Sequence, residues 1–313
     1  MPDIGIVIVT HNSGPEIGPC LEAALASGAE VVVVDNASTD NTIAEIPRQG
    51  VRIIANSENR GFAAAVNQGF SLLDCQYILL LNPDAVLLTV LEPLREACNL
   101  PRAAGAGGCL QDAEGRPQVG FMVRQLPRPG DLILEALVLN RVLPNNPANR
   151  RYRALDLDYG ERQPVGQPAG AFLMIRRAVW KELGGFDEGF YPAWFEEVDF
   201  CRRAADRDYI FYLAPKAVAK HTGGHSISRI RVELRQFYWY RNLLRYSAKH
   251  FQPFAFRAVC LAVVTGSILR AVAWSLADRS LRPVTVFGGV LRLAGRCLLF
   301  GWRDEAVTYR LRL

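Results

Sequence analysis

The sequence predicts an α/β domain on a mostly parallel central sheet, followed by a C-terminal helical region. Two observations carry the α/β reading. Short apolar runs alternate with stretches of helical spacing through the first hundred residues, the pattern of βαβ units. Each of the four apolar runs ends in a polar cluster, as expected where the strand ends of an open sheet line one crevice. A third observation divides the chain. Residues 228–313 hold 15 Lys plus Arg against 4 Asp plus Glu, while residues 1–227 hold 21 against 27. The expected domains are therefore 1–227 and 228–313.

The elements follow in order. Apolar runs at 4–10, 31–34, 51–55 and 77–81 read as buried strands. Helical spacing appears at 15–27, 39–46, 61–73 and 90–98. Further strands are expected at 103–110, 118–123 and 171–175. The intervening stretch 124–167 is rich in Pro, Asn and Arg, a composition that suits a cover over a site. A short helix at 177–183 ends at Gly184-Gly185, another helix occupies 196–205, and a late strand lies at 209–213. Beyond 228 come an aromatic, basic helix at 232–250 and two apolar helices at 254–276 and 283–300.

Seven cysteines, odd in number and without a C-x-x-C pair, suggest reduced thiols in a cytosolic protein and argue against a cysteine zinc site. No basic, then apolar, leader opens the chain, so no secretory signal is expected. There is no G-x-G-x-x-G after the first strand and no G-x-x-x-x-G-K-[ST], which disfavours dinucleotide oxidoreductases and P-loop enzymes. Arginines break up the two apolar helices of the tail, and the clean run 258–269 is short for a span. Helices lying in a membrane interface are the favoured reading, ahead of soluble helices and of a true span. A nucleic-acid role is disfavoured, because the basic residues are interleaved with long apolar runs.

The four polar clusters are Thr10-His11-Asn12, Asp35-Asn36-Ala37-Ser38-Thr39-Asp40, Asn56-Ser57-Glu58-Asn59-Arg60-Gly61 and Asn82-Pro83-Asp84. Asp35 can accept from a base N–H or a ribose hydroxyl. Asn and Thr groups can read a base edge, and Arg60 can reach phosphate. The alternative is that the Asx and Ser residues cap the following helices. One carboxylate at a rigid strand end, Asp84, can hold a divalent cation, which in turn can hold a diphosphate. Glu196, Glu197 and Asp199 crowd the start of one helix, where the dipole favours negative charge. One of them is a candidate general base. Glu196 and Asp199 share a face, and Glu197 points elsewhere. His221, in Lys220-His221-Thr222-Gly223-Gly224-His225-Ser226, reads either as a metal ligand or as a hydrogen-bonded structural residue.

In order and spacing, the segments 6–12 (IVIVTHN), 33–40 (VVDNASTD), 59–67 (NRGFAAAVN), 80–84 (LLNPD), 170–177 (GAFLMIRR), 184–188 (GGFDE) and 195–201 (FEEVDFC) resemble the inverting glycosyltransferases of family 2, which have the GT-A fold. The nearest resemblance is to bacterial rhamnosyltransferase-like members, over about residues 4–226. The resemblance implies that Asn82-Pro83-Asp84 stands at the family's D-x-D position. Asn82 there faces ribose or sugar hydroxyls, and Asp84 binds Mg²⁺ or Mn²⁺. It implies a second metal ligand at His221, and nucleotide contacts at Thr10, Asp35 and Asn67. With the strand-end clusters, the expected donor site is Thr10, Asn12, Asp35, Asn36, Ser38, Asn59, Arg60, Gly61, Asn67, Asn82 and Asp84. Glu197 takes the position of the family's base, with Asp199 second, and Trp194 and Glu196 lie near the acceptor sugar.

The expected reaction moves a sugar from a nucleotide-sugar donor, dTDP-rhamnose first and a UDP-hexose next. The expected acceptor is a saccharide or lipid-linked glycan of the cell envelope. The expected location is the cytoplasm, at the inner face of the cell membrane, with residues 228–313 making a peripheral membrane contact or a homo-oligomer contact. Two alternatives are a nucleotidyltransferase and a non-catalytic sugar-nucleotide-binding module.

Overall fold

The computed structural model describes residues 3–223 and 231–303. The first elements are β1 (Ile4–Thr10), α1 (Gly14–Ala26), β2 (Glu30–Asp35), α2 (Thr42–Glu45), β3 (Val51–Ala55), α3 (Phe62–Leu72), β4 (Tyr77–Leu81), β5 (Ala85–Leu87), α4 (Glu92–Cys98) and β6 (Ala103–Gln111). Then come β7 (Val123–Arg124), α5 (Pro129–Ala136), α6 (Leu139–Val142), α7 (Pro147–Tyr152), β8 (Gln163–Val165), β9 (Gln167–Pro168), β10 (Phe172–Arg176), α8 (Arg177–Leu183), α9 (Glu196–Ala205) and β11 (Ile210–His221). Three long helices complete the described chain: α10 (Val232–His250), α11 (Pro253–Asp278) and α12 (Arg282–Phe300).

Among the described residues the main sheet runs β3-β2-β1-β4-β10-β6-β11-β5, with β8 beside β11. Strands β3, β2, β1, β4, β6 and β11 point one way, and β10, β5 and β8 point the other. β1 and β4 are buried on both faces, which is why their sequences are continuous apolar runs rather than alternating ones. The strand order reverses at β1, which has β2 on one side and β4 on the other. The crevice outside their carboxyl ends is where an open α/β sheet binds ligands.

Several expectations change. The strand expected at 118–123 is reduced to β7. Gln118 hydrogen-bonds back to the Leu110 carbonyl at 2.8 Å, and Gly120 turns the chain with a φ of 79°. The strand expected at 209–213 continues to His221 through an irregularity between Ala214 and Val218. The helix expected at 39–46 is one turn, α2.

Contacts among the described residues divide the chain into two compact units, one within 1–126 and 147–230, the other within 127–146 and 231–313. The stretch 124–167 is therefore not a single cover: 127–146 groups with the C-terminal helices, and the rest stays with the sheet. In the sheet unit, Trp180 stacks on Phe70 with ring centres 4.0 Å apart and meets Phe186 at 4.8 Å and Phe200 at 5.2 Å. This aromatic cluster fastens the segment between α8 and α9 to α3. In the helical unit, α5 crosses α11 so closely that a Cβ at Gly266 would lie 1.9 Å from the Ala136 carbonyl oxygen. Phe237, Leu243, Val259, Val263, Phe287 and Val290 form its core. Phe254, Leu261, Ile268, Val272 and Leu276 instead leave one face of α11 apolar and exposed. By length and composition alone, 253–277 and 282–300 are long and apolar enough to cross a membrane.

Candidate active site

The loops after β1, β2 and β3 are tied to one another by their own polar side chains. Asp35, at the end of β2 and 1% exposed, accepts from the Ser38 amide at 3.0 Å and from the Ser38 hydroxyl. Ser38 Oγ accepts from the Asn12 amide at 2.8 Å, and Asn12 Oδ1 accepts from the Thr39 amide at 2.7 Å. Asn36 donates to Asn59 Oδ1 at 2.9 Å and to the Gly61 carbonyl, and accepts from the Arg60 amide at 2.9 Å. Gly61 has a φ of 85°, and a Cβ there would lie 2.8 Å from the Tyr191 ring. Arg60 is exposed. At the end of β1, Thr10 is buried, and its hydroxyl has no hydrogen-bond partner among the described residues.

Asp84 is brought to His221 by main-chain pairing. β5 runs antiparallel to β11 with Ala85 opposite His221, so the residue before β5 lies against the end of β11. Asp84 Oδ1 is 3.5 Å from His221 Nε2, and the two side chains are 9% and 4% exposed. Asp84 Oδ2 accepts from the Gly223 amide at 3.0 Å. His221 is further held by Gln118 and by the ring of Phe121, stacked with centres 5.3 Å apart. Among the described residues no three His, Cys, Asp or Glu side chains gather as a metal cage. His225 lies outside the described residues.

The acids near α9 are separated by their surroundings. Trp194 and Phe195 have φ of 79° and 73°, a left-handed pair that turns the chain sharply into α9. Asp199, 0% exposed, pairs with Arg203 at 2.7 Å. Arg203 also donates to the carbonyls of Leu183 and Gly185 at 2.7 and 2.8 Å. Glu196 is buried, and its Oε2 has no hydrogen-bond partner among the described residues. Glu197 is half-buried, its Oε1 accepting from Gln167 at 3.4 Å, with Gly170 alongside its Cβ and Cγ. Gly170 lies at the start of β10, whose Phe172 pairs with Leu81 at the end of β4.

The family model for glycosyl transferase family 2 matches residues 5–183, more than half of the chain. The chain belongs to glycosyltransferase family 2. It is 31% identical over 245 residues to the N-acetylglucosaminyl-diphospho-decaprenol L-rhamnosyltransferase of Mycobacterium tuberculosis H37Rv, covering 72% of this chain and 77% of that one. It is 24% identical over 235 residues to the rhamnosyltransferase WbbL of Escherichia coli K12, covering 70% and 83%. The fold resembles mannosyltransferase PcManGT of Pyrobaculum calidifontis, solved with GDP-Man and Mn²⁺, with a TM-score of 0.50 and 17% identity over 96% of this chain and 88% of that one. It also resembles GalNAc-T7, solved with UDP, GalNAc and Mn²⁺, with a TM-score of 0.54 and 15% identity over 78% of this chain and 47% of that one. The expected GT-A fold is the fold observed.

Within this family 2 glycosyltransferase the structure sorts the expected site residues. Asn12, Asn36, Ser38 and Asn59 spend polar groups on the loops around them. Asn67, expected beside the nucleotide, clasps the turn after α8. It donates to the Phe186 carbonyl at 2.9 Å and accepts from the Phe186 amide at 3.0 Å. Asp199 is an anchor between α9 and the turn after α8, its carboxylate paired with the partly buried Arg203 guanidinium. The expected common face of Glu196 and Asp199 is the buried one, which leaves Glu197 beside the strand ends. Sequence reading missed Gln118, Arg124 and Gln167. Gln118 fell inside an expected strand, and the other two lay in the stretch read as a cover.

Burial raises the pKa of Glu197 above the usual carboxylate range, and the nearby Arg124 charge pulls it partly back. Burial, and then the charge of Glu197, raises Glu196 well above the usual 4.5. A raised folded-state pKa means that the native protein holds a proton the unfolded chain has released, so this carboxyl costs stability as pH climbs from about 4.5 through the raised value. Glu196→Gln is therefore expected to leave stability nearly unchanged below that window and to raise it by about 1–3 kcal/mol at neutral pH, the scale of a buried unsatisfied group. Urea denaturation across a pH series measures this, and an unchanged gap between variant and parent at all pH values contradicts the assignment.

Proposed function

We propose that this glycosyltransferase moves rhamnose from dTDP-rhamnose, or failing that a hexose from a UDP-hexose, to a hydroxyl of a saccharide or lipid-linked glycan in cell-envelope polysaccharide synthesis. The observation that carries the reading is the convergence of Asp84, His221 and Glu197 on the carboxyl-end edge of a family 2 sheet. The rhamnosyltransferase activities of the mycobacterial and Escherichia coli relatives support rhamnose.

Asp84 and His221 offer one carboxylate oxygen and one imidazole nitrogen, a donor set that suits a divalent cation which keeps most of its shell for water and phosphate oxygens. A bound Mg²⁺ or Mn²⁺ would there supply positive charge against the diphosphate of the donor. Glu197 takes the proton of the acceptor hydroxyl as that oxygen attacks the anomeric carbon from the face opposite the diphosphate. A single displacement inverts the anomeric configuration. Gln167 orients the Glu197 carboxylate. The half-buried Trp194 offers an apolar face to a sugar ring, and the exposed Arg60 offers charge to phosphate.

The helical unit is read as a peripheral contact with the inner face of the cell membrane. Phe254 is 86% and Leu276 75% exposed on the apolar face of α11, and Arg257, Arg279, Arg282 and Arg292 are exposed in the same unit. Each basic residue near an anionic leaflet contributes about 1 kcal/mol.

Three outcomes are expected. Glu197→Gln lowers single-turnover transfer about 10²–10⁴-fold, roughly 3–5 kcal/mol of barrier, with donor affinity retained; unimpaired chemistry removes Glu197 from the role. Asp84→Ala abolishes the Mn²⁺-dependent part of nucleotide binding in calorimetry, and equal affinity with and without Mn²⁺ in the parent protein contradicts the metal assignment. The full chain floats with anionic vesicles and is released by salt, and Phe254→Glu with Leu261→Glu reduces flotation. Resistance to both salt and alkaline carbonate instead indicates a spanning helix.

A further inference from the structure

His221 faces Asp84 through one ring nitrogen and Gln118 through the other. Gln118 Nε2 donates to the main-chain carbonyl of His221 at 2.8 Å, and Gln118 Oε1 lies 3.0 Å from His221 Nδ1. A carbonyl oxygen can only accept, so the first contact decides which end of the amide is nitrogen. The other end is then an oxygen, also an acceptor, and the Nδ1 it meets must carry the proton. In the neutral ring Nε2 is left as a lone pair, turned toward an Asp84 oxygen 3.5 Å away that is an acceptor as well.

We propose that Gln118 is a positioning residue for the cation site, selecting the His221 tautomer that presents Nε2 as a ligand. The inference rests on reading Asp84 and His221 as the metal pair. The same short turn also holds the ring plane. The Phe121 ring is stacked on His221 at an interplanar angle of 10°, and the Phe121 amide donates to the Gln118 carbonyl at 3.1 Å. Gln118 thus acts on both the proton and the orientation of the imidazole, and it does so from a sequence position 103 residues away. A metal-bound histidine ordinarily donates its second N–H to an acceptor of this kind, and loss of that acceptor typically costs 10–100-fold in metal affinity.

The test compares full-length parent, Gln118→Met, Gln118→Glu and His221→Ala proteins, with thermal melts to confirm folding. Nitrogen-15 NMR of the imidazole in the metal-free protein, at alkaline pH, reads the tautomer directly. The parent and Gln118→Glu, which keeps an acceptor at Nδ1, are expected to show the Nδ1–H form, and Gln118→Met a shift toward Nε2–H. Mn²⁺ binding in the presence of dTDP or UDP, followed by electron paramagnetic resonance, is expected to weaken about 10–100-fold in Gln118→Met and to recover most of that loss in Gln118→Glu. An Nε2–H ring in the parent, or a Gln118→Met protein with parental tautomer or parental Mn²⁺ affinity, overturns the proposal. Should His221→Ala bind Mn²⁺ as the parent does, the metal reading itself fails, and with it the consequence for Gln118, even if the tautomer responds as expected.

Discussion

The pairing of β5 with β11 is the constraint on which the site depends. Asp84 and His221 are far apart in the chain. Main-chain hydrogen bonds set Ala85 opposite His221, and the two functional groups follow. β11 is itself held in the sheet by its parallel ladder to β6, so the position of His221 is inherited from the core. Building a site on paired strands restricts its geometry more tightly than a loop can. At the same place the Gly223 amide donates to Asp84, and Gln118 meets His221 at both Nδ1 and the main-chain carbonyl.

The same logic governs the acids. Three carboxylates at one helix start look equivalent in the sequence, yet the fold gives each a different neighbour. Asp199 is neutralised by Arg203, whose remaining N–H groups satisfy the carbonyls of Leu183 and Gly185. With the carboxylate fully buried and the guanidinium partly so, the pair serves as a structural joint. Glu196 has no counter-charge of that kind and is driven toward its neutral form. Glu197 alone combines partial exposure with a hydrogen-bond donor and proximity to the ends of β4 and β10. The left-handed Trp194 and Phe195 make the division workable, since they set the angle at which α9 begins.

Much of the fold was legible because burial on both faces writes itself into composition. The runs at β1, β2 and β4 could hardly be anything else, and the polar residues after them marked the crevice. Strand direction is not written that way. β10 is as apolar as its neighbours, and nothing in its five residues says that it enters against β4 and β6. β5 is only three residues long and went unseen, although it places Asp84 beside His221. Polar clusters were legible as locations but not as roles. Whether Asn36 reads a base or braces the Arg60 amide depends on which loop comes within 3 Å, a property of the folded chain. The glutamine at 118 carried no signal of its own, because its importance comes entirely from the ring it meets.

The replacement of the first D-x-D acid by Asn82 bears on all of this. Two carboxylates and a cation make a nearly balanced site; one carboxylate with a neutral imidazole leaves an excess of positive charge. In the proposed site that excess would be matched by the donor diphosphate and not by the protein. A cation held this way would gain most of its binding energy only together with nucleotide, and the protein's part would be to present two well-aimed ligands. Alignment would then matter more than charge, and that is the part the proposal gives to Gln118.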